Sequence, residues 1–319
     1  LSLIPYLSAF YIGSTTDGVL PPDILSLENS SLHTNFKLSS KGESLTLFDS
    51  DGNKIDNLEV IGLVTDKSIR RSLLDGSPVY FEAPSPGNEN TGEEFIGIVS
   101  SEIVFSHNGG KFNGQSVSLT GDGEGEEIRY TLDATVPDSL SPLYSSPIAI
   151  SGNTVVRARI FHNNYIPSRT SSRTYITSNT HDLPIVTLVT EPDNFFDNQE
   201  GIYVYGPAEN YADELPFFGA NFWQDWERDI HFSFYEPTGE LGVALDAGVK
   251  IFGAWSRAND QRSLSIFARG RYGFSKLEYP LFPSLDYDSF ESIILRNGGN
   301  DWIKSNMRDV MTTSLMDRS

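Results

Sequence analysis

The residues best suited to chemistry are guanidinium groups and small residues crowded into one loop. Gly253-Ala254-Trp255-Ser256-Arg257 is followed shortly by Gln261-Arg262-Ser263. Backbone N–H groups approach phosphate oxygens closely where side chains are small, and arginine offers those oxygens a bidentate fork. The chemistry implied is phosphate binding, with Gly253, Ser256, Arg257 and Arg262 as the candidate residues. The loop lacks the Gly-Lys-Ser/Thr of a P-loop. A second reading therefore stands beside the first, in which these cations neutralise acids elsewhere in the chain.

Surrounding charge makes the loop conspicuous. Residues 182–246 hold 14 acidic groups and one basic group, Arg228, whereas residues 250–276 hold six basic groups (Lys250, Arg257, Arg262, Arg269, Arg271, Lys276) and one acidic, Asp260. Other candidates have a structural reading that outweighs the chemical one. Asp49-Ser50-Asp51-Gly52-Asn53 is similar to a calcium loop but lacks the downstream glutamate of an EF-hand, so a turn is expected, and no metal site is assigned. His33 has no nucleophile or paired base beside it in sequence; Asp133 reads as a turn acceptor; Asp301 and Asp309 read as helix-cap and helix-surface groups. Trp223, Trp226 and Trp255 are possible carbohydrate platforms, with a core role the better reading. His231 falls on the opposite strand face from Phe232, which implies a solvated or supporting role.

The elements that must position these residues are mostly strands. Residues 44–48 and 54–61 alternate on either side of the Asp-Gly turn and read as a hairpin. Ile128, Tyr130 and Leu132 share one strand face, and Val156, Ala158 and Ile160 another, with Arg157 and Arg159 pointing away. Ile230, Phe232 and Phe234 alternate, as do Leu264, Ile266 and Ala268, and this parity puts Arg262 at the polar end of the second face. Ile303, Met307, Val310, Met311 and Leu315 fall at helical spacing, with Asn300 or Asp301 as the cap. The fold class expected is mainly β: two immunoglobulin-like β-sandwiches followed by an α+β domain. Charge and Pro/Gly/Ser/Asn punctuation divide the chain into residues 1–97, 98–180 and 181–319.

Composition bounds the function. The 319 residues carry a net charge of −20, which argues against nucleic acid or anionic lipid as a general partner. Cysteine is absent, which removes disulfides, thiolate metal sites and cysteine nucleophiles. No apolar run approaches the ~20 residues of a membrane-spanning helix.

Three resemblances follow from short motifs. Leu32-His33-Thr34-Asn35-Phe36-Lys37-Leu38-Ser39-Ser40-Lys41-Gly42-Glu43, with Leu45-Thr46-Leu47-Phe48 and Pro84-Ser85-Pro86-Gly87-Asn88, resembles the second half of a bacterial lamin-tail domain. That implies an immunoglobulin-like sandwich, cut short upstream, whose open sheet edge would pair with another chain. Ile128-Arg129-Tyr130-Thr131-Leu132-Asp133, Leu143-Tyr144-Ser145-Ser146-Pro147-Ile148 and the 154–160 strand resemble the chitobiase/β-hexosaminidase C-terminal module, with Asp133-Ala134 where that family has Asp-Gly.

Leu183-Pro184-Ile185-Val186, Gly201-Ile202-Tyr203, Trp226-Glu227-Arg228, Gly248-Val249-Lys250-Ile251, Ser256-Arg257, Gln261-Arg262-Ser263-Leu264, Tyr279-Pro280-Leu281-Phe282 and Leu295-Arg296-Asn297-Gly298-Gly299 resemble the CotH kinase family in order and spacing. The resemblance implies the N-terminal part of an atypical protein kinase, secreted or on a bacterial surface, taking ATP and Mg²⁺ and acting on exported or surface proteins. It places Arg262 where that family usually has a phosphate-contacting lysine, and it puts the catalytic Asp region beyond Ser319. The alternative is a non-catalytic surface protein, structural or binding, with a degenerate CotH-like domain.

Overall fold

The computed structural model describes residues 11–14, 43–60, 67–85, 88, 90–121, 123–178, 182–298, 301, 305, 307, 308 and 310–312. The 32–42 part of the lamin-tail-like motif, with His33, and Asp309 lie outside the described residues. The chain is mainly β and divides into two compact units, residues 1–100 with 162–167, and residues 101–161 with 168–319.

In the first unit, Tyr11–Ser14, Glu43–Phe48 and Lys54–Val60 form an antiparallel sheet in that order. Its hairpin closes on the Asp-Gly turn, where Gly52 takes a φ of 82° that an L side chain would resist. Asp49 Oδ1 accepts the N–H groups of Asp51 (3.0 Å) and Asn53 (2.7 Å), and Oδ2 accepts the Asn53 amide at 2.9 Å. The carboxylate is engaged by its own turn, the turn expected of this motif. A second hairpin pairs Ser68–Arg71 with Pro78–Phe81 and buries Val79, Tyr80 and Phe81. Arg71 binds the Asp56 carboxylate through Nε (3.1 Å) and Nη2 (2.7 Å) and also donates to the Asn57 carbonyl. It thereby holds this hairpin to Lys54–Val60.

The second unit holds two larger sheets. Glu127–Thr131, Thr154–Phe161, Ser171–Ile176 and Gly110–Lys111 form the first, in that order. Val156, Ala158 and Ile160 are fully buried on one face, as their alternation requires, whereas Leu132 lies past the end of its strand and is exposed. Ile185–Val189, Arg228–Tyr235, Leu241–Phe252, Ser263–Phe267 and Ser292–Leu295 form a five-stranded antiparallel sheet. Leu245, Ala247, Val249 and Ile251 point to its core face together with Ile230, Phe232, Leu264 and Ile266, and Ile202, Ala220 and Phe222 cover them from the connection between the first two strands.

The opposite face of the five-stranded sheet meets the four-stranded sheet. Lys111 Nζ donates to the Pro237 carbonyl at 2.7 Å. Gly109 and Gly110 take φ of 83° and 82°, and a Cβ on Gly110 would lie 2.0 Å from the Gly239 carbonyl oxygen. Arg157 does turn away from the Val156 face, but into this contact rather than solvent. It is buried, donates to the Ala134 carbonyl at 2.6 Å and lies 3.9 Å from Glu191.

The C-terminal helix starts later than the apolar spacing implied. Residues 301 and 305 are turns, and helix is described from Arg308. Asp301 is the reason: its Oδ2 accepts the N–H groups of Met307 (2.9 Å) and Arg308 (3.1 Å) as well as the Ser305 hydroxyl, so one carboxylate caps a helix start at Arg308. Met307, Val310 and Met311 are exposed, not packed on the core; Ile303 and Leu315 lie outside the described residues.

Two outcomes are expected. Gly110→Ala should destabilise the chain by about 2–4 kcal/mol through backbone overlap and the positive φ. Gly152→Ala, whose Cβ meets nothing within 4 Å, should be near neutral, and urea denaturation of the two variants checks the difference. Hydrogen bonds, first that from Ser305, hold the Asp301 carboxyl at about 2 against an ordinary 3.8. A depressed folded pKa contributes stability above the unfolded value and loses it as pH falls through the folded one. The protection factors of the Met307 and Arg308 amides, corrected for intrinsic exchange at each pH, should therefore hold steady above pH ~4 and fall between ~4 and ~2. Asp301→Asn should show the reduced protection already at neutral pH.

Candidate functional site

The six cations of residues 250–276 separate into groups with different partners. Lys250 Nζ lies 2.9 Å from Asp225 and 3.9 Å from Glu227, Arg269 Nε lies 3.1 Å from Glu227, and Arg271 Nη2 binds the same Glu227 carboxylate. For these three, internal neutralisation by the acidic stretch is what the structure contains. Arg257 and Arg262 have no carboxylate within ion-pair distance among the described residues, and the charges of Asp225 and Asp260 reach them only at longer range.

Both sit around one turn. Gly253 has a φ of 117°, and a Cβ there would come within 2.5 Å of Ser256 Oγ, so the chain needs glycine to fold the short 3₁₀ turn Trp255–Ala258 back on itself. Arg257 then reaches across: Nε donates to the Gly253 carbonyl at 2.7 Å, and Nη1 to the carbonyls of Phe222 (3.2 Å) and Trp223 (3.4 Å). Arg262 immediately precedes the strand Ser263–Phe267 and is only 7% exposed. Its guanidinium carbon lies 4.1 Å from the centroid of the Phe222 ring and 5.0 Å from that of Tyr203. Its N–H donates to the Tyr203 hydroxyl oxygen at 2.8 Å and its Nη1 to the Asp260 carbonyl at 3.3 Å, while Nε has no partner. Gly253, Ser256, Arg257 and Arg262 are thus brought together, with Phe222 between the two arginines.

The energetics of Arg262 come close to balance. Burying a guanidinium costs on the order of several kcal/mol. Each desolvated ring contact returns about 2 kcal/mol, and a charge-assisted hydrogen bond about 1.5–3 kcal/mol. Two rings and one carbonyl, with the Asp260 charge at longer range, offset most of the cost without a contacting carboxylate. Desolvation accordingly pushes the Arg262 pKa down, yet an arginine this basic stays charged. The outcome is a held, desolvated cation with one donor unused.

Three framing residues escaped the sequence reading. Tyr203 and Phe222 come from chain segments some distance away, and no spacing links them to Arg262. Asn297 bonds Ser263 Oγ at 2.9 Å and the Gln261 carbonyl at 2.6 Å, fixing the backbone on either side of Arg262. Tyr203 and Asn297 do lie in motifs that carry the CotH resemblance, which was the available signal.

The remaining candidates are structural in their contacts. Asp133 accepts the Thr135 N–H (3.1 Å) and hydroxyl (2.6 Å), the turn role expected of it. His231 is not solvated: its side chain is largely buried, and Nδ1 lies 2.8 Å from Asp246 Oδ1 on the paired strand. Trp223 donates its indole N–H to the Pro216 carbonyl at 2.7 Å and Arg228 lies over Trp226, whereas Trp255 is 66% exposed, against the core role expected of it. Among the described residues no cluster of His, Asp or Glu is arranged to hold a metal ion, and no helix is long and apolar enough to cross a membrane.

No curated protein matches the chain. Residues 107–172, which contain most of the four-stranded sheet with its Val156, Ala158 and Ile160 face, match the family model of the chitobiase/beta-hexosaminidase C-terminal domain.

Proposed function

We propose that residues 181–319 are the phosphate-facing part of a CotH-type atypical kinase-like domain, carried by a multidomain protein that is secreted or displayed on a bacterial surface. In this reading residues 1–97 and 98–180 are immunoglobulin-like sandwiches of lamin-tail and chitobiase/β-hexosaminidase type, and exported or surface proteins are the acceptors. The ligand is ATP with Mg²⁺. The observation that carries the proposal is Arg262, a desolvated guanidinium with an unused donor and, among the described residues, no carboxylate within ion-pair distance. An anion is the partner such a group lacks.

Phosphoryl transfer depends chiefly on positioning and on charge stabilisation of the phosphoryl oxygens. Arg262 and Arg257 would contribute the fixed positive charge, and Gly253 and Ser256 the close approach of backbone. Mg²⁺, bound with the nucleotide, would supply charge neutralisation of its phosphate oxygens, and among the described residues no carboxylate cluster is arranged to hold it. Asp260 gives its carbonyl to Arg262, and its carboxylate also favours the charged guanidinium at longer range. A second reading, a non-catalytic structural or binding domain, is favoured by Arg257, two of whose donor groups already hold backbone carbonyls.

Calorimetric titration of the 319-residue chain with ATP and Mg²⁺ separates the two. The kinase-like reading expects saturable binding that Arg262→Gln weakens by about thirtyfold, or about 2 kcal/mol, and that Arg257→Ala weakens less. Thermal melts of both variants establish that they remain folded. Absence of binding by a folded wild-type chain leaves the non-catalytic reading standing.

A further inference from the structure

The cations paired with Glu227 form a surface separate from the Arg262 turn. Glu227 is 10% exposed, yet it is the carboxylate contacted by both Arg269 and Arg271, whose side chains are 45% and 49% exposed. Tyr272 donates its hydroxyl to the same carboxylate at 3.0 Å and accepts from Arg271 at 2.7 Å. Desolvation and the Glu227 charge push that phenol up to about 12, so it remains a donor at ordinary pH. Arg169 joins from the four-stranded part of the unit, its Nη1 donating to the Tyr272 carbonyl at 3.0 Å.

Two glycines make the arrangement possible. A Cβ on Gly248 would lie 2.2 Å from the Glu227 carboxylate and 2.8 Å from the Tyr272 ring, and one on Gly273 would lie 2.4 Å from Arg169 Nη1. The backbone has been cleared so that one carboxylate and one tyrosine can hold several guanidinium groups in place.

We propose that Arg169, Arg269 and Arg271, ordered around Glu227 and Tyr272, form a docking surface for an acidic polypeptide segment of a partner protein. Charge complementarity carries the proposal. Among the described residues, the carboxylates that contact Arg169, Lys250, Arg269 and Arg271 are Asp225 and Glu227, which leaves a local positive excess on a chain of net charge −20. At physiological salt, charges beyond ~8 Å are largely screened, so this local excess, not the chain average, meets a partner. Arg269 engages Glu227 through Nε and stacks its guanidinium carbon 4.7 Å from the Phe267 ring; Arg271 uses Nη2. Their remaining N–H groups are pre-oriented and solvent-facing, a fork geometry matched to planar carboxylates. The guanidinium groups come from three positions without the close backbone approach of the 253–257 turn, which suits carboxylates spread along a chain better than one compact phosphate. The surface is independent of the nucleotide reading.

The test is fluorescence anisotropy with a labelled octaglutamate peptide and a matched octaglutamine peptide at 50 mM and 300 mM NaCl. Octaglutamate should bind at low salt and weaken at high salt, octaglutamine should not bind, and Arg269→Ser/Arg271→Ser should lower affinity at least tenfold. Arg169→Ser, a change at an exposed side chain, should lower it severalfold with an unchanged melting curve, and Lys276→Ser should leave it as in the wild type. No binding of octaglutamate, equal binding of octaglutamine, or affinity unchanged in the Arg169 variant would overturn the proposal. So would displacement of the peptide by inorganic phosphate at low millimolar concentration, which would make this a phosphate site.

Discussion

The burial of Phe222 is the constraint on which the candidate site depends. Its ring is fully enclosed by the core of the five-stranded sheet and lies against the Arg262 guanidinium, while its carbonyl accepts from Arg257. One residue therefore belongs to the hydrophobic core, to a cation–π contact and to a hydrogen-bonded strap. Hydrophobic packing fixes the ring first, since a buried aromatic is worth about 3–5 kcal/mol to the core. The arginines are then placed by a side chain that cannot move without opening that core. The site inherits its rigidity from packing instead of from charge pairing.

Much of the architecture was legible because strands have a period of two. The faces at Val156, Ala158 and Ile160, and at Ile230 and Phe232, follow directly from alternation, and the Asp-Gly turn from the φ that glycine tolerates. The site residues were found through local crowding of glycine, serine and arginine. Their clamp was not, because Tyr203 and Phe222 approach Arg262 only after the chain folds back, and aromatic residues carry no positional code for such contacts. The terminal helix was misplaced for a similar reason. Helical spacing reports a face, but not the turn around Asp301 that delays the helix start, and not whether the face is covered.

Charge shows the same division between local and folded information. The sequence separated an acidic stretch from a basic one, and internal pairing and anion binding competed as explanations. In the folded chain both are accommodated by different residues: Asp225 and Glu227 take Lys250, Arg269 and Arg271, while Arg257 and Arg262 rest on carbonyls and rings. Two carboxylates out of the many in the acidic stretch suffice for this, since only groups within a few ångströms interact strongly through water and salt.

The contact between the two sheets of the second unit has a consequence for how this chain can change over time. Gly110 sits against the carbonyl of Gly239, and Lys111 reaches the carbonyl of Pro237, so carbonyl oxygens of one turn close this point of the seam. Side chains nearby can be exchanged in steps, each compensated by a neighbour. A main-chain surface offers no such intermediate, because adding any side chain at Gly110 displaces a peptide group. The seam is thus open to drift around its margins and closed to it at its centre, and the two sheets must vary as one inherited piece.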